Sequence, residues 1–316
     1  MTRNIKLTIA YDGGDFHGWQ VQPGQQTVQG VLMDLLHRIT GEMPALCGAG
    51  RTDAGVHAWG QAAHFKTESA ISPHKLAGAL NALAPPSIRI RDAAEVPLDF
   101  HARWLASAKT YQYRIYRGPV VPPFCWRYVL HDPRPLDFAA MARAARCFEG
   151  EHDFSSFAAS TGSMEEDRER IMTRRIALSE MVRYEALLAT SIASMTSTGS
   201  TASAGEQAGR AEEWVYVVRG RSFLRSMVRK IVGTLLEIGR GRMGPQDIAE
   251  VFEACDRTRS GPVAAPQGLC LMSVEYPSME YRATEYRAMG YPGESGGEIE
   301  KGSDDGLEDA TEDSAG

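Results

Sequence analysis

The chain has 316 residues, 43% of them apolar and 23% charged, the balance of a globular protein rather than a disordered one. That length holds one large domain or two small ones, and no apolar run approaches the roughly 20 residues of a membrane-spanning helix. The net charge of −6 is uneven: residues 277–316 hold 11 acids and 3 bases, which leaves 31 bases against 29 acids in the rest. A body so close to neutral binds nucleic acid only through clustered bases, and two clusters exist, at residues 168–175 and 219–230. The five cysteines, Cys47, Cys125, Cys147, Cys255 and Cys270, contain no C-x-x-C pair, which argues against a disulfide framework and a zinc knuckle. Of the eight histidines, only His57 and His64 stand as candidate partners, and their spacing of seven fits no common ligand motif. Neither a metal nor a cofactor is expected. Residues 1–5 lack the apolar core of a secretory signal, so the expected location is the cytoplasm.

In chain order, Ile5, Leu7, Ile9 and Tyr11 alternate with polar or small residues, the period of a half-buried strand. A Gly-rich stretch from Tyr11 to Gln20 follows as a loop. Trp19 there suits the core, by how often such side chains are buried. Thr27 then caps a helix with an apolar stripe of Val28, Val31, Leu32, Leu35, Leu36 and Ile39, stopped by Gly41. Trp59, Gln61, Ala63 and Phe65 alternate as a strand. Ser72-Pro73 opens a second helix to about Leu83, ended by Pro85-Pro86, and Ile88 and Ile90 mark another strand. With the short apolar run Ala45-Leu46-Cys47 as a strand, the order is strand, helix, strand, strand, helix, strand, that of a ferredoxin-like, RRM-like unit.

The segment Lys109-Thr110-Tyr111-Gln112-Tyr113-Arg114-Ile115 puts Tyr111, Tyr113 and Ile115 on one strand face. Interleaved bases and aromatics suit a nucleic-acid surface and equally an ordinary sheet. Asp137 opens a helix through Phe148, closed by Gly150. A strand runs from about Ile176 to Leu188, and residues 190–211, rich in Ser, Thr, Ala and Gly, form a flexible excursion before the strand at Glu213–Val218. Ser222 is expected to cap a helix through Gly233, with Arg225 and Arg229 on one face. A last helix from about Pro245 to Ala254 and the apolar strand around Leu269 and Leu271 complete the fold. Past Pro277 the chain reads as a disordered acidic tail.

The densest chemistry lies in Gly48-Ala49-Gly50-Arg51-Thr52-Asp53-Ala54-Gly55-Val56-His57-Ala58. The glycines permit a sharp turn at a strand end. Their spacing fits neither a P-loop nor a dinucleotide-binding turn. Arg51 and Asp53 form either a local ion pair, worth about 0 to 1 kcal/mol if exposed, or the surroundings of a carboxylate nucleophile.

The literal string resembles the signature loop of the TruA-type tRNA pseudouridine synthases. Tyr-Asp-Gly…Phe-His-Gly-Trp-Gln near the start, Lys-Thr-Tyr-Gln-Tyr, Ser-Phe-Leu…Met-Val-Arg-Lys-Ile-Val-Gly and Gly-Leu-Cys-Leu resemble further family motifs in family order, over residues 3–276. The resemblance implies an α+β pseudouridine synthase fold. Two RRM-like halves, residues 1–100 and 101–276, would share a mixed sheet with helices, with the active-site cleft between them. It implies Asp53 as the nucleophile, Arg229 as its ion-pair partner and Arg51 as an aid to flipping the nucleotide. Tyr111 would stack on the target base, and Leu269 or Leu271 would pack against it. Trp19, Gln20 and His57 would lie close to the RNA. The implied partner is tRNA, gripped at its anticodon stem-loop by a homodimer with no membrane involved, and the implied chemistry needs no cofactor. Arg225 and Ser226 stand where the family often has aromatic or histidine residues. Two rivals remain: an RNA chaperone that keeps the fold without the chemistry, and an isomerase of another RNA.

Overall fold

Ten strands form one mixed sheet in the computed structural model, which describes residues 1–159, 171–185 and 212–277. These residues fall in one compact unit, Met1–Ser278. The strands are β1 (Arg3–Tyr11), β2 (Cys47–Gly48), β3 (His57–Thr67), β4 (Ile88–Val96), β5 (Ala108–Tyr116), β6 (Leu130–His131), β7 (Gly150–Asp153), β8 (Thr173–Glu185), β9 (Glu212–Gly220) and β10 (Leu269–Glu275). The main order is β4-β1-β3-β10-β5-β9-β8-β7, with β2 paired to β3 and β6 to β5. Strands from the first 96 residues thus occupy one end of the sheet. They meet the remainder where β10 runs parallel to β3, Cys270 opposite His57 and Leu271 opposite Ala58.

Five helices are seen among the described residues: α1 (Val28–Thr40), α2 (Pro73–Leu83), α3 (Phe138–Arg146), α4 (Met227–Gly239) and α5 (Asp247–Ala254). The first two form as the periodicity predicts. Thr27 Oγ1 accepts from the Gly30 amide, and Gly41, at φ 76°, supplies the left-handed residue that ends α1. Pro73 opens α2, and the chain leaves it before the two prolines. Leu32, Leu76, Met141, Ile231 and Ile248, one from each helix, join the strand residues Leu7, Phe65 and Tyr113 in one continuous core. The expected excursion at 190–211, the tail past Pro277 and the first part of the 168–175 cluster lie outside the described residues.

Two helix boundaries differ from the sequence expectation. The helix opened by Asp137 ends at Arg146 rather than near Gly150, because Gly150, at φ 104°, belongs to the start of β7. The helix expected from Ser222 begins only at Met227, since Ser226 sits at φ 56° and interrupts the helical ladder. Arg225 therefore lies before α4 and does not share a helix face with Arg229. Leu224, 4% exposed, anchors this turn in the core.

A buried charge ties the end of α4 to the segment after β6. Asp132, 1% exposed, accepts from Arg240 at 2.6 Å and from Arg134 at 2.7 and 2.9 Å. Burial alone would raise its pKa, but the hydrogen bonds from Arg134 and Arg240 outweigh it and hold the carboxyl at about 2, below the ordinary 3.8. Folding therefore favours the ionised form. This contribution is fully present above the ordinary value and is lost as pH falls from there toward 2. Replacing Asp132 by Ala removes the bonds from Arg134 and Arg240 and leaves Arg240 paired with Glu237 alone, so it should destabilise the fold by about 1.5 to 3 kcal/mol, measured by urea unfolding at neutral pH.

Candidate active site

The loop between β2 and β3 is held from below by its own sequence neighbours. Ala49 N–H donates to Ala62 O at 2.7 Å, Gln61 Nε2 to Gly50 O at 2.9 Å, and Trp19 N–H to Thr52 O at 3.1 Å. Thr52 Oγ1 and the Tyr11 hydroxyl lie 2.8 Å apart. Two glycines are required by contact or conformation. A Cβ at Gly48 would lie 2.6 Å from the Trp19 ring, and Gly55 turns the chain at φ 76° with Pro266 beside it. These contacts present Asp53 at the top of a rigid turn, with its side chain 26% exposed.

The Asp53 carboxylate meets α4 and the turn before it. Arg229 Nη1 donates to Oδ2 at 2.9 Å and Ser226 Oγ donates to the same oxygen at 2.8 Å. Arg229 is itself aimed: its Nε donates to Ala264 O at 2.8 Å, and the Ala264 amide donates back to Arg229 O at 3.1 Å. Oδ2 is thus clamped, whereas Oδ1 has no hydrogen-bond partner among the described residues. One oxygen fixes the carboxylate and leaves the other available for attack. The local ion pair that Arg51 and Asp53 offered is not formed. Arg51 is exposed and has no acidic partner among the described residues.

Tyr111 is within electrostatic reach of Asp53 and 7% exposed, its ring edge-on to Phe223 at 5.0 Å. Burial, with Tyr11 and the Asp53 charge adding to it, pushes the phenol's ionisation well above the usual tyrosine range. The group therefore acts as a neutral hydroxyl and a ring. Leu271 stands directly opposite Tyr111 in β10 and is fully buried, and Leu269, opposite Tyr113, is 6% exposed. Leu269 is the one of the two with any accessible surface.

Two of the expected RNA neighbours, Trp19 and His57, are buried side chains. Trp19 is 1% exposed and lies beneath the loop against Gly48, so it braces the loop and offers no open face to a base. His57 is 5% exposed: its Nδ1 accepts from the Gly13 amide at 3.0 Å, and its Nε2 lies 3.0 Å from Arg127 O. The carbonyl is only an acceptor, so Nε2 carries the hydrogen and the ring is neutral. Burial lowers its pKa, and the nearby Asp12 carboxylate, 3.1 Å from Nδ1, does not reverse this. His57 is a brace between the first loop and residue 127. Gln20 is half-buried beside Trp19.

The fold also gathers Cys47, His64 and His101, with ligand atoms within 4.8 Å of one another, a grouping invisible in their spacing. Their hydrogen bonds do not suit a metal. His64 Nδ1 accepts from the Ala102 amide, and His101 Nδ1 from those of Arg103 and Trp104. Each neutral ring then carries its hydrogen on Nε2, the atom that would have to offer a lone pair.

Ser226 was legible only as a departure from the family pattern. Its left-handed backbone costs roughly 1 to 2 kcal/mol and is retained at the residue that holds Asp53. Ser226→Gly should relieve that strain and Ser226→Ala should keep it. Both lose the hydroxyl, so both should slow turnover by roughly tenfold, while the glycine variant unfolds at higher denaturant than the alanine variant.

The chain is similar to known proteins over most of its length. A family model described as tRNA pseudouridine synthase matches residues 7–104 and 144–277. The chain is 45% identical over 274 residues to a tRNA pseudouridine synthase A of Solibacter usitatus, covering 87% of this chain and 100% of the relative. It is 42% identical to one of Caldicellulosiruptor saccharolyticus with the same coverage. A third, from Syntrophotalea carbinolica, is 40% identical over 86% of this chain and 96% of its own length. With matches of that extent on a sheet that joins Asp53 to Arg229, the chain belongs to the tRNA pseudouridine synthase family.

Proposed function

We propose that this protein isomerises uridine to pseudouridine in the anticodon stem-loop of tRNA, with Asp53 as nucleophile. The observation that carries the reading is the half-clamped carboxylate, one oxygen held by Arg229 and Ser226 and the other unpartnered. Asp53 attacks the target nucleotide, the bond between C1′ and N1 breaks, and the uracil turns and rejoins C1′ through C5 as the bond to Asp53 breaks and the carboxylate is restored. The C5 proton leaves and N1 gains one, so product and substrate have the same atoms and oxidation state. Such a balance calls for no oxidant, reductant or energy-rich co-substrate.

In this reading Tyr111 supplies a ring for the base and a neutral hydroxyl, and Leu269 supplies apolar contact. Arg51, exposed and next to the loop, occupies the space left when the nucleotide is flipped. Extrusion costs a few kcal/mol of unstacking, which the assembled pocket offsets. Residues 1–100 and 101–276 serve as two halves that meet along β3 and β10, and two copies grip one tRNA in the cytoplasm. None of the helices among the described residues is long and apolar enough to cross a membrane.

The test uses purified, chelator-treated protein and an unmodified tRNA transcript. Uridine in the anticodon arm should become pseudouridine without added metal or nucleotide. Asp53→Asn should lower the rate by about a thousandfold or more, since the amide keeps the shape without the anionic oxygen, while tRNA affinity stays within about threefold. A protein that binds the transcript and leaves every uridine unchanged is a chaperone, and the reading falls. Sedimentation of the protein with and without tRNA checks the dimer.

A further inference from the structure

Two lysines are buried to the same extent and treated oppositely. Lys230, 8% exposed, donates to Arg257 O at 2.6 Å, Ser260 Oγ at 2.7 Å and Ser156 O at 3.4 Å, so its ammonium is satisfied within the protein. Lys109, also 8% exposed, has neither a hydrogen bond nor an acidic partner among the described residues. Its neighbours across the sheet, Gly220 in β9 and Val274 in β10, bring no charge. Burial, with the Arg103 charge adding to it, lowers its pKa to about 8. A buried ammonium without a partner is costly, and a second cation beside it raises the cost.

The position of Lys109 says what the charge is for. It precedes Tyr111 by two residues on β5 and so shares its strand face. A Cβ on Gly50 would lie 3.4 Å from its Nζ, so the ammonium lies over the backbone of the signature loop, one residue before Arg51. Arg51 and Arg103 are exposed and likewise have no acidic partner among the described residues. Elsewhere arginines pair with carboxylates, as Arg114 does with Glu213, Arg219 with Glu275 and Arg240 with Asp132.

We infer that Lys109, with Arg103 beside it, binds a backbone phosphodiester of the RNA next to the flipped uridine, and so sets the position of the target ribose over Asp53. This rests on the proposed isomerase reading and assigns Lys109 a positioning role, outside the bonds that change. A phosphate supplies the missing counter-charge, and its oxygens accept from an ammonium as a carboxylate would. Gly50 leaves room for the strand to approach the amine, and the fixed sheet position of Lys109 makes the contact a register mark for the nucleotide.

The experiment measures binding of an unmodified tRNA transcript against salt, together with thermal stability and turnover. Lys109→Met should lower affinity about tenfold and reduce the slope of log K against log salt by roughly 0.7 to 1, the loss of one phosphate contact. KM should rise far more than kcat falls. Its melting temperature should hold or rise, because a buried unpaired charge has been removed, and Lys109→Arg should restore the slope. Stem-loop RNAs with a single neutral methylphosphonate at each phosphate flanking the target uridine locate the contact. At one position the neutral linkage should weaken wild-type binding and leave Lys109→Met unaffected. An unchanged salt slope, a melting temperature that falls in step with activity, or equal methylphosphonate penalties in both proteins would overturn the inference. Stabilisation by inorganic phosphate with no coupled RNA position would mark a free-anion site and overturn it too. Wild-type protein that shows the coupled position but forms no pseudouridine would count against the isomerase reading and leave this contact standing.

Discussion

The ion pair between Asp53 and Arg229 closes a gap of 176 residues and sets the requirements on everything around it. Asp53 stands on the turn that leads into β3, the strand of the first 96 residues that borders β10. Arg229 stands in the first turn of α4, which packs against α3. The two meet only because β10 pairs with β3 on one side and β5 on the other, which joins both groups of strands into a single sheet. A pair that keeps some contact with solvent contributes modest stability by itself. Its geometry is maintained by the backbone exchange between Arg229 and Ala264, by the Trp19 brace under Gly48 and by the Gln61 bond to the loop.

Charges in this protein divide into two populations. Asp132 with its arginines and Lys230 with its three oxygens are satisfied within the fold, where they join helix ends to neighbouring segments. Arg51, Arg103 and Lys109 have no such partners among the described residues and gather near the signature loop. A nearly neutral body can therefore present a local positive field, since what matters to a phosphate strand is the uncompensated charge within a Debye length and not the sum over the chain. The left-handed Ser226 and the buried Lys109 both lower stability near the loop. Such concessions gather where function constrains the residue more tightly than folding does.

The longer strands, α1 and α2 were readable from periodicity and caps because local chemistry and tertiary packing agree there, whereas the short β6 and β7 carry no such period. Thr27 and Gly41 bound α1 where expected, and Ile5, Leu7, Ile9 and Tyr11 all face the core. The start of α4 was not readable. Residues 222–226 carry a helical pattern and a plausible cap, yet Ser226 turns left-handed, its hydroxyl on Asp53 and Leu224 in the core. Burial likewise decided Trp19 and His57. Their place in a Gly-rich motif says that the loop matters, and it does not say whether each ring faces outward or holds the loop from beneath.

What the sequence by itself determined is the family, through literal motifs in order, and the elements whose residues alternate or repeat with a clear period. Asp53 was the focus from the outset because the glycines and charges around it are contiguous. Its partner was named by the family motif that holds Arg229 and not by local chemistry, which offered the adjacent Arg51, and only the tertiary structure shows how residues so far apart come to 2.9 Å. Only the structure separated Lys230 from Lys109, because burial and hydrogen bonding depend on which strands become neighbours. That pairing is a property of the closed sheet, where contacts form between residues far apart in the chain, and no local run of amino acids encodes it.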